Sequence, residues 1–174
     1  RSKGINVINT PAASSSSVAE LVFAHLYGGV RFLHESNRNM PLEGDSNFKK
    51  LKKAYAKGVE LRGKTIGIVG FGRIGRETAK IALGIGMKVL AYDKFLKEAS
   101  ITLNFSHEKS VEFNIKISKF NYLLENSDFI SLHVPAQKEF IIDKKQFELM
   151  KDGVGIINAA RGGVLNEAEL ISAL

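Results

Sequence analysis

The sequence contains no cysteine. That excludes disulfides, thiolate nucleophiles and cysteine-ligated zinc, and it fits a reducing, cytoplasmic setting without requiring one. No apolar run approaches the roughly 18 residues of a membrane span, so no membrane partner is expected. The opening Arg1-Ser2-Lys3-Gly4 lacks both an initiator Met and a signal-peptide core. At the other end, Asn166-Glu167-Ala168-Glu169-Leu170 opens a helix that stops at Leu174. Both ends read as those of a piece of a longer polypeptide. The 25 Lys and Arg exceed the 18 Asp and Glu, yet no recognition helix, zinc finger or RNA-binding aromatic motif accompanies them. The lysines gather at 48–57, 94–97 and 138–151, which read as solvated loops and helix faces. No nucleic-acid partner and no metal are expected.

What is present is the composition of an ordinary globular chain, 44% hydrophobic and 25% charged over 174 residues. That length suits one domain with its own core. Residues 4–9 read as a short strand ended by Thr10-Pro11. A helix from about Val18 to His34 is expected, opened by Ser16 or Ser17 with Glu20 as a capping box. Its apolar residues surround most of the cylinder, which predicts burial on more than one side. Subunit contact and packing within a larger chain both satisfy that. Residues 38–60 read as polar and irregular.

After Gly63 the pattern changes. Thr65–Val69 is a continuous apolar run of strand length, as a parallel strand covered on both faces requires. A helix over Arg73–Ile85 and a strand over Lys88–Tyr92 complete a β-α-β unit. Of 95–119 only Glu112–Ser118 alternates like a strand. Alternation then resumes: a short helix at Phe120–Glu125, strand Phe129–Val134, helix Lys144–Met150, strand Gly155–Asn158 and a helix from Glu167. Alternating β and α elements specify an α/β, Rossmann-like doubly wound fold with a predominantly parallel sheet.

Between the first strand and first helix of that unit stands Gly70-Phe71-Gly72-Arg73-Ile74-Gly75. The G-x-G-x-x-G pattern alone is weak, but here it follows a buried strand and opens a helix, as its mechanics demand. Gly70 permits the tight turn, Gly72 lets a pyrophosphate approach the backbone, and Gly75 lets helix pack on strand. Arg73 and Ile74 supply N–H groups at a helix N-terminus, where anions are favoured. Asp93 ends the next strand, where a carboxylate accepts from ribose hydroxyls and repels a 2′-phosphate. NAD is therefore expected over NADP, although Lys94 and Lys97 lie nearby.

These motifs, together with others in order, make the chain resemble the D-isomer-specific 2-hydroxyacid dehydrogenases along its whole length. The others are Asn9-Thr10-Pro11 through Ser17-Val18-Ala19-Glu20, Leu61-Arg62-Gly63-Lys64, Ser131-Leu132-His133-Val134-Pro135, Phe147-x-x-Met150-Lys151-x-Gly153 and Asn158-Ala159-Ala160-Arg161-Gly162-Gly163-Val164. The resemblance implies a hinge at residues 1–16 and an NAD-binding domain at 17–174, incomplete at its C-terminus, with a substrate domain elsewhere. It implies that Arg161 holds the substrate carboxylate and polarises the C2 oxygen, a task suited to a planar, permanently charged fork. It places His133, Val134 and Pro135 beside the nicotinamide side of the cofactor, with Ala159 backbone near it. It puts the proton-accepting His and its supporting Glu beyond Leu174, so His25, His34, His107 and His133 are not read as general bases.

Within the family, the hinge, Gly86-Met87-Lys88-Val89 and Tyr92-Asp93-Lys94 are most similar to members that oxidise 3-phosphoglycerate, the first committed step of serine synthesis. Another 2-hydroxy acid remains the alternative substrate. An NAD-gated co-repressor-like binding protein and a plain nucleotide module are the alternatives outside that class. A homodimer or higher homo-oligomer is expected from the family. The chain departs from the family at Ser14, where Asn is usual, and at Asn166, where Asp is usual.

Overall fold

The computed structural model describes residues 4–6, 8, 10, 12–106 and 109–174. Strand β1 (Thr65–Val69) lies inside a four-stranded parallel sheet of order β2-β1-β5-β6, with β2 (Lys88–Tyr92), β5 (Phe129–Leu132) and β6 (Gly155–Asn158). Ile66, Ile68 and Val69 are fully buried, as expected of a strand covered on both faces. The chain leaves β1 for β2 on one side and later returns to β5 on the other. The β1/β5 boundary is thus a topological switch point, and in such sheets the crevice beyond the strands' C-terminal ends receives ligands.

Helix α3 (Arg73–Gly84) connects β1 to β2 and buries Gly75, Thr78, Ala79 and Ala82 along one stripe. Helix α4 (Phe120–Asn126) precedes β5 and buries Leu123 and Leu124. Asp128 joins the starts of two strands: its Oδ2 accepts the Thr65 N–H at 2.8 Å and its Oδ1 accepts Lys151 Nζ at 2.9 Å. The Thr65 N–H, and after it Lys151, hold that carboxyl below its ordinary value of 3.8. Helix α5 (Lys144–Phe147) is shorter than its apolar pattern suggested. Helix α6 (Glu167–Ala173) is capped as expected, the Asn166 side chain accepting from the N–H groups of Ala168 and Glu169.

The N-terminal third departs most from expectation. Gly4, Ile5, Asn6 and Ile8 are not in a strand, while Val7, Asn9 and Pro11 of the expected strand and hinge lie outside the described residues. Helix α1 (Ser15–Val30) begins earlier than the expected capping box, with Ser14 at the N-cap and no side-chain cap. It ends before His34, where Phe32 takes a left-handed conformation at φ 55. Only one stripe is buried, formed by Ser15, Ala19, Val22, Phe23 and Leu26, and it packs on α3. Leu21 and Tyr27 stay exposed, so within this chain α1 is covered on a single side.

Residues 38–60, read as irregular, are mostly helical. Helix α2 (Leu33–Tyr55) contains Pro41 and is broken at Asn47. The break is a reversal. Asn39 Nδ2 donates to the Tyr55 hydroxyl at 3.0 Å, although a straight helix would hold residues 16 apart about 24 Å from each other. Leu51 is its one buried residue, so the periodic apolar signal that reveals most helices is missing here.

The unassigned segment after Asp93 is an antiparallel hairpin, β3 (Glu98–Phe105) and β4 (Lys109–Lys116), forming its own two-stranded sheet. Ala99, Ile101 and Ile115 point into the main core, and Arg76 Nη1 of α3 donates to Ser100 O at 3.1 Å. His107 at its tip lies outside the described residues. Among the described residues, no helix is long and apolar enough to cross a membrane.

Candidate functional site

A pocket of about 670 Å³ opens at the switch point. Gly70 and Gly72 after β1, Asp93 after β2, and His133, Val134 and Pro135 after β5 all line it. Three loops far apart in sequence therefore converge on it. Val69, Tyr92, Lys94, Phe95, Phe120, Gln137 and Ile141 complete the lining, and of these Phe95, Phe120, Gln137 and Ile141 were not foreseen. Those four belong to no motif, and only the fold shows that they meet.

The glycines divide by what surrounds them. A Cβ on Gly70, whose φ is +93, would stand 2.6 Å from the His133 carbonyl oxygen. A Cβ on Gly75 would collide with the Gly70 carbonyl oxygen. Both positions are thus fixed by the protein's own packing. Gly72 is different: a Cβ there would meet nothing within 4 Å. It is the N-cap of α3 and offers no side-chain cap, so the first N–H groups of the helix remain free for an anion. Open space over a helix N-terminus is what a pyrophosphate needs, and on this ground the chain fits a dinucleotide.

Asp93 does more than end β2. Its Oδ2 accepts the N–H of Phe71 at 2.9 Å, inside the glycine turn, and its Oδ1 accepts the N–H of Phe95 at 2.8 Å. The carboxylate thereby ties the turn to the segment after β2. Each oxygen keeps a second lone pair, which leaves the group able to accept from two vicinal hydroxyls.

His133 is largely buried, and loss of solvation pushes its pKa from 6.5 down to about 4. Its Nε2 lies 2.9 Å from Ser131 Oγ and 3.2 Å from Thr78 Oγ1. Thr78 Oγ1 already donates to Ile74 O at 3.0 Å, so it is satisfied as an acceptor when Nε2 carries the ring proton. That assignment leaves Nδ1 a buried acceptor with no partner. The ring braces β5 against α3, and its lowered pKa makes it a weak proton acceptor.

A pH dependence follows. Below 6.5 the unfolded chain takes up a proton that native His133 refuses until about pH 4. This contribution to stability is therefore complete above pH 6.5 and is lost as the pH falls towards 4. The loss reaches about 3 kcal/mol at the lower limit. Thermal unfolding of the wild type and His133→Asn between pH 7 and pH 4 measures it. The variant should lose less stability over that interval, and equal losses would refute the neutral, buried assignment.

Arg73, Ile74 and Gly75 form the first turn of α3, but Arg73 lines a separate groove of about 380 Å³ with Arg76, Glu77 and Lys80. Ala159 and Arg161 lie past the C-terminal end of β6 and outside the lining of the 670 Å³ pocket. Asn158 shapes their loop, its Oδ1 accepting the Ala160 N–H at 3.2 Å and its Nδ2 donating to Arg161 O at 3.0 Å. Arg161 is exposed, with Nη1 donating to Ala160 O at 2.7 Å. Its guanidinium makes no salt bridge among the described residues and keeps donors free for an anion.

Known proteins are similar to this chain in sequence and architecture. The pattern of the D-isomer specific 2-hydroxyacid dehydrogenase, NAD binding domain, matches residues 23–174. A D-3-phosphoglycerate dehydrogenase of Archaeoglobus fulgidus is 41% identical over 99% of this chain and 30% of its own length. A hydroxypyruvate reductase of Thermotoga maritima is 40% identical over 98% of this chain and 50% of its own. Among solved structures, a D-lactate dehydrogenase of Aquifex aeolicus, complexed with NAD and lactic acid, superposes with a TM-score of 0.72 at 34% identity. That match covers 99% of this chain and 48% of the other. The chain thus spans half or less of the length of each of these relatives.

Proposed function

Because the chain belongs to the D-isomer-specific 2-hydroxyacid dehydrogenase family, we propose that it is the NAD-binding domain of an enzyme that oxidises 3-phosphoglycerate to 3-phosphohydroxypyruvate. The observation that carries this reading is the convergence of Gly70, Gly72, Asp93 and the His133–Pro135 loop on one pocket at the switch point. Arg161 stands on the same C-terminal edge of the sheet, past β6.

The chain's own groups have definite tasks. The free N–H groups at the start of α3 bind the pyrophosphate, and Asp93 accepts the adenosine ribose hydroxyls. Val134 and Pro135 exclude water from the nicotinamide side. NAD, when bound, supplies the two-electron acceptor that no amino-acid side chain provides. Arg161 pairs bidentately with the substrate carboxylate and stabilises charge at the C2 oxygen. No histidine described here suits proton removal: His25 and His34 lie on α1 and α2, away from the pocket lining, and His133 is a buried brace whose lowered pKa makes it a weak base. We assign that step to a group outside residues 1–174. The reading extends to serine synthesis as the pathway and to self-association through exposed Leu21, Tyr27, Leu33 and Phe48 of α1 and α2.

The 40% identity to a hydroxypyruvate reductase favours a second reading, in which the substrate is an unphosphorylated hydroxy acid. Steady-state rates of the enzyme carrying this domain, with 3-phosphoglycerate and with glycerate, separate the two. A higher kcat/KM for 3-phosphoglycerate is expected, and the reverse order would replace the first reading with the second. Cofactor choice has its own test, calorimetric titration of NADH and NADPH into wild type and Asp93→Ala. Wild type should prefer NADH. The variant should lose that preference and bind NADH more weakly, since the Phe71 and Phe95 N–H groups lose their acceptor. An unchanged preference would remove Asp93 from the ribose site.

A further inference from the structure

Residues 159–163 carry Arg161 between two firm anchors. On one side β6 ends at Asn158, in register with the buried Leu132 of β5. On the other, Val164 and Leu165 are buried, and Val164 O accepts the N–H groups of Ile141 and Ile142. Between the anchors the loop has little of its own to hold it. Among the described residues, no member of 159–163 shares a hydrogen bond with another main-chain group through its own backbone. A Cβ on Gly162 or Gly163 would meet nothing within 4 Å, so packing does not pin those positions either.

The tether is the Asn158 side chain. Its Oδ1 accepts the Ala160 N–H at 3.2 Å, and its Nδ2 donates to Arg161 O at 3.0 Å. These two groups flank the peptide unit that joins Ala160 to Arg161, so a single amide fixes that unit from both sides. The carbonyl of the same unit, Ala160 O, receives Arg161 Nη1 at 2.7 Å. Contacts therefore run without a gap from the end of β6, through Asn158 and one peptide plane, to the charged fork. Only an amide side chain of this length offers the acceptor and the donor together; a carboxylate accepts and cannot donate. We propose that Asn158 is a positioning residue for Arg161, orienting the guanidinium toward the substrate carboxylate without touching the substrate itself. The proposal rests on the role given to Arg161 above and adds the residue through which the fold controls it.

The test measures kcat/KM, NADH affinity and the unfolding midpoint of the enzyme carrying this domain. The variants are Asn158→Ala, Asn158→Asp, Arg161→Gln and the double substitution Asn158→Ala with Arg161→Gln. Loss of both hydrogen bonds in Asn158→Ala should lower kcat/KM about tenfold or more and leave the other two quantities unchanged. Asn158→Asp keeps an acceptor for the Ala160 N–H but has no donor for Arg161 O, so it should lose rate as well. In the Arg161→Gln background the alanine substitution should cost nothing further, because the fork that Asn158 orients is gone. Equal fold losses with and without Arg161 would overturn the positioning role, since Asn158 would then act by another route. Weaker NADH binding or a lower midpoint in both Asn158 variants would overturn it too, by showing a general structural effect. Full activity of either Asn158 variant would overturn it and leave Arg161 in its role. An unaltered rate in Arg161→Gln would remove Arg161 from the reaction, and this proposal with it.

Discussion

Gly72→Val is expected to abolish measurable NADH binding while leaving the unfolding midpoint where it was. The protein has nothing within 4 Å of a Cβ at that position, and φ of −73 suits any residue, so the native fold tolerates the change. The space the new side chain fills is that over the N-terminus of α3, where the phosphates must approach the backbone. Gly75→Ala should behave in the opposite sense. Its Cβ meets the Gly70 carbonyl oxygen, an atom of the backbone that cannot swing aside, so helix and strand must separate. A loss of stability of about 1–3 kcal/mol is expected, the usual range for overpacking. Calorimetric NADH titration and thermal unfolding of the two variants measure both effects. Wild-type binding by Gly72→Val would mean that no phosphate lies there, and the nucleotide site would have to be sought elsewhere.

The second large effect belongs to catalysis. In the enzyme carrying this domain, Arg161→Gln should lower kcat/KM by about 10²–10³ while leaving NADH affinity unaltered. A glutamine can still donate hydrogen bonds through its amide, but it carries no charge to oppose a carboxylate or a developing oxyanion. Arg161→Lys keeps the charge and loses the planar fork, so it should recover only part of the rate. Steady-state kinetics with NADH titration in parallel separate these terms. A purely structural role would reduce NADH binding along with turnover. An unaltered rate in Arg161→Gln would remove the residue from the reaction.

What the sequence allowed to be read follows from where packing leaves a periodic trace. β1 and α3 were legible because Ile66, Ile68, Val69, Ala79 and Ala82 are buried at strand and helix spacing, and β2 because its short run, with Ala91 buried, follows them at β-α-β distance. β5, with Ile130 and Leu132 buried, and β6, only partly buried, were read from their short apolar runs. α2 left no such trace: Leu51 alone is buried, and Pro41 and Gly44 weigh against a helix. The β3–β4 hairpin was half legible, since only Ala99, Ile101 and Ile115 turn inward and its other face is exposed. In the site, residue types were readable but their partners were not. Asp93 was recognised by its distance from Gly75, whereas its hold on Phe71 and Phe95 depends on which N–H groups the turn aims at it. Likewise Ser131 and Thr78 secure His133 from a neighbouring strand position and from another element, a pairing that spacing along the chain does not encode.

The close approach of Gly70 to His133 O has a consequence for engineering. The turn after β1 and the loop after β5 approach each other through the backbone of Gly70 and His133, with the Val134 side chain beside them. On that flank the clearance is set largely by the main chain, which side-chain substitution moves little. The opposite flank ends in Phe95 and Gln137, both exposed. Any redesign toward a bulkier or trimmed coenzyme must therefore work from that adjustable side, as one moves the free jaw of a vice whose other jaw is bolted down.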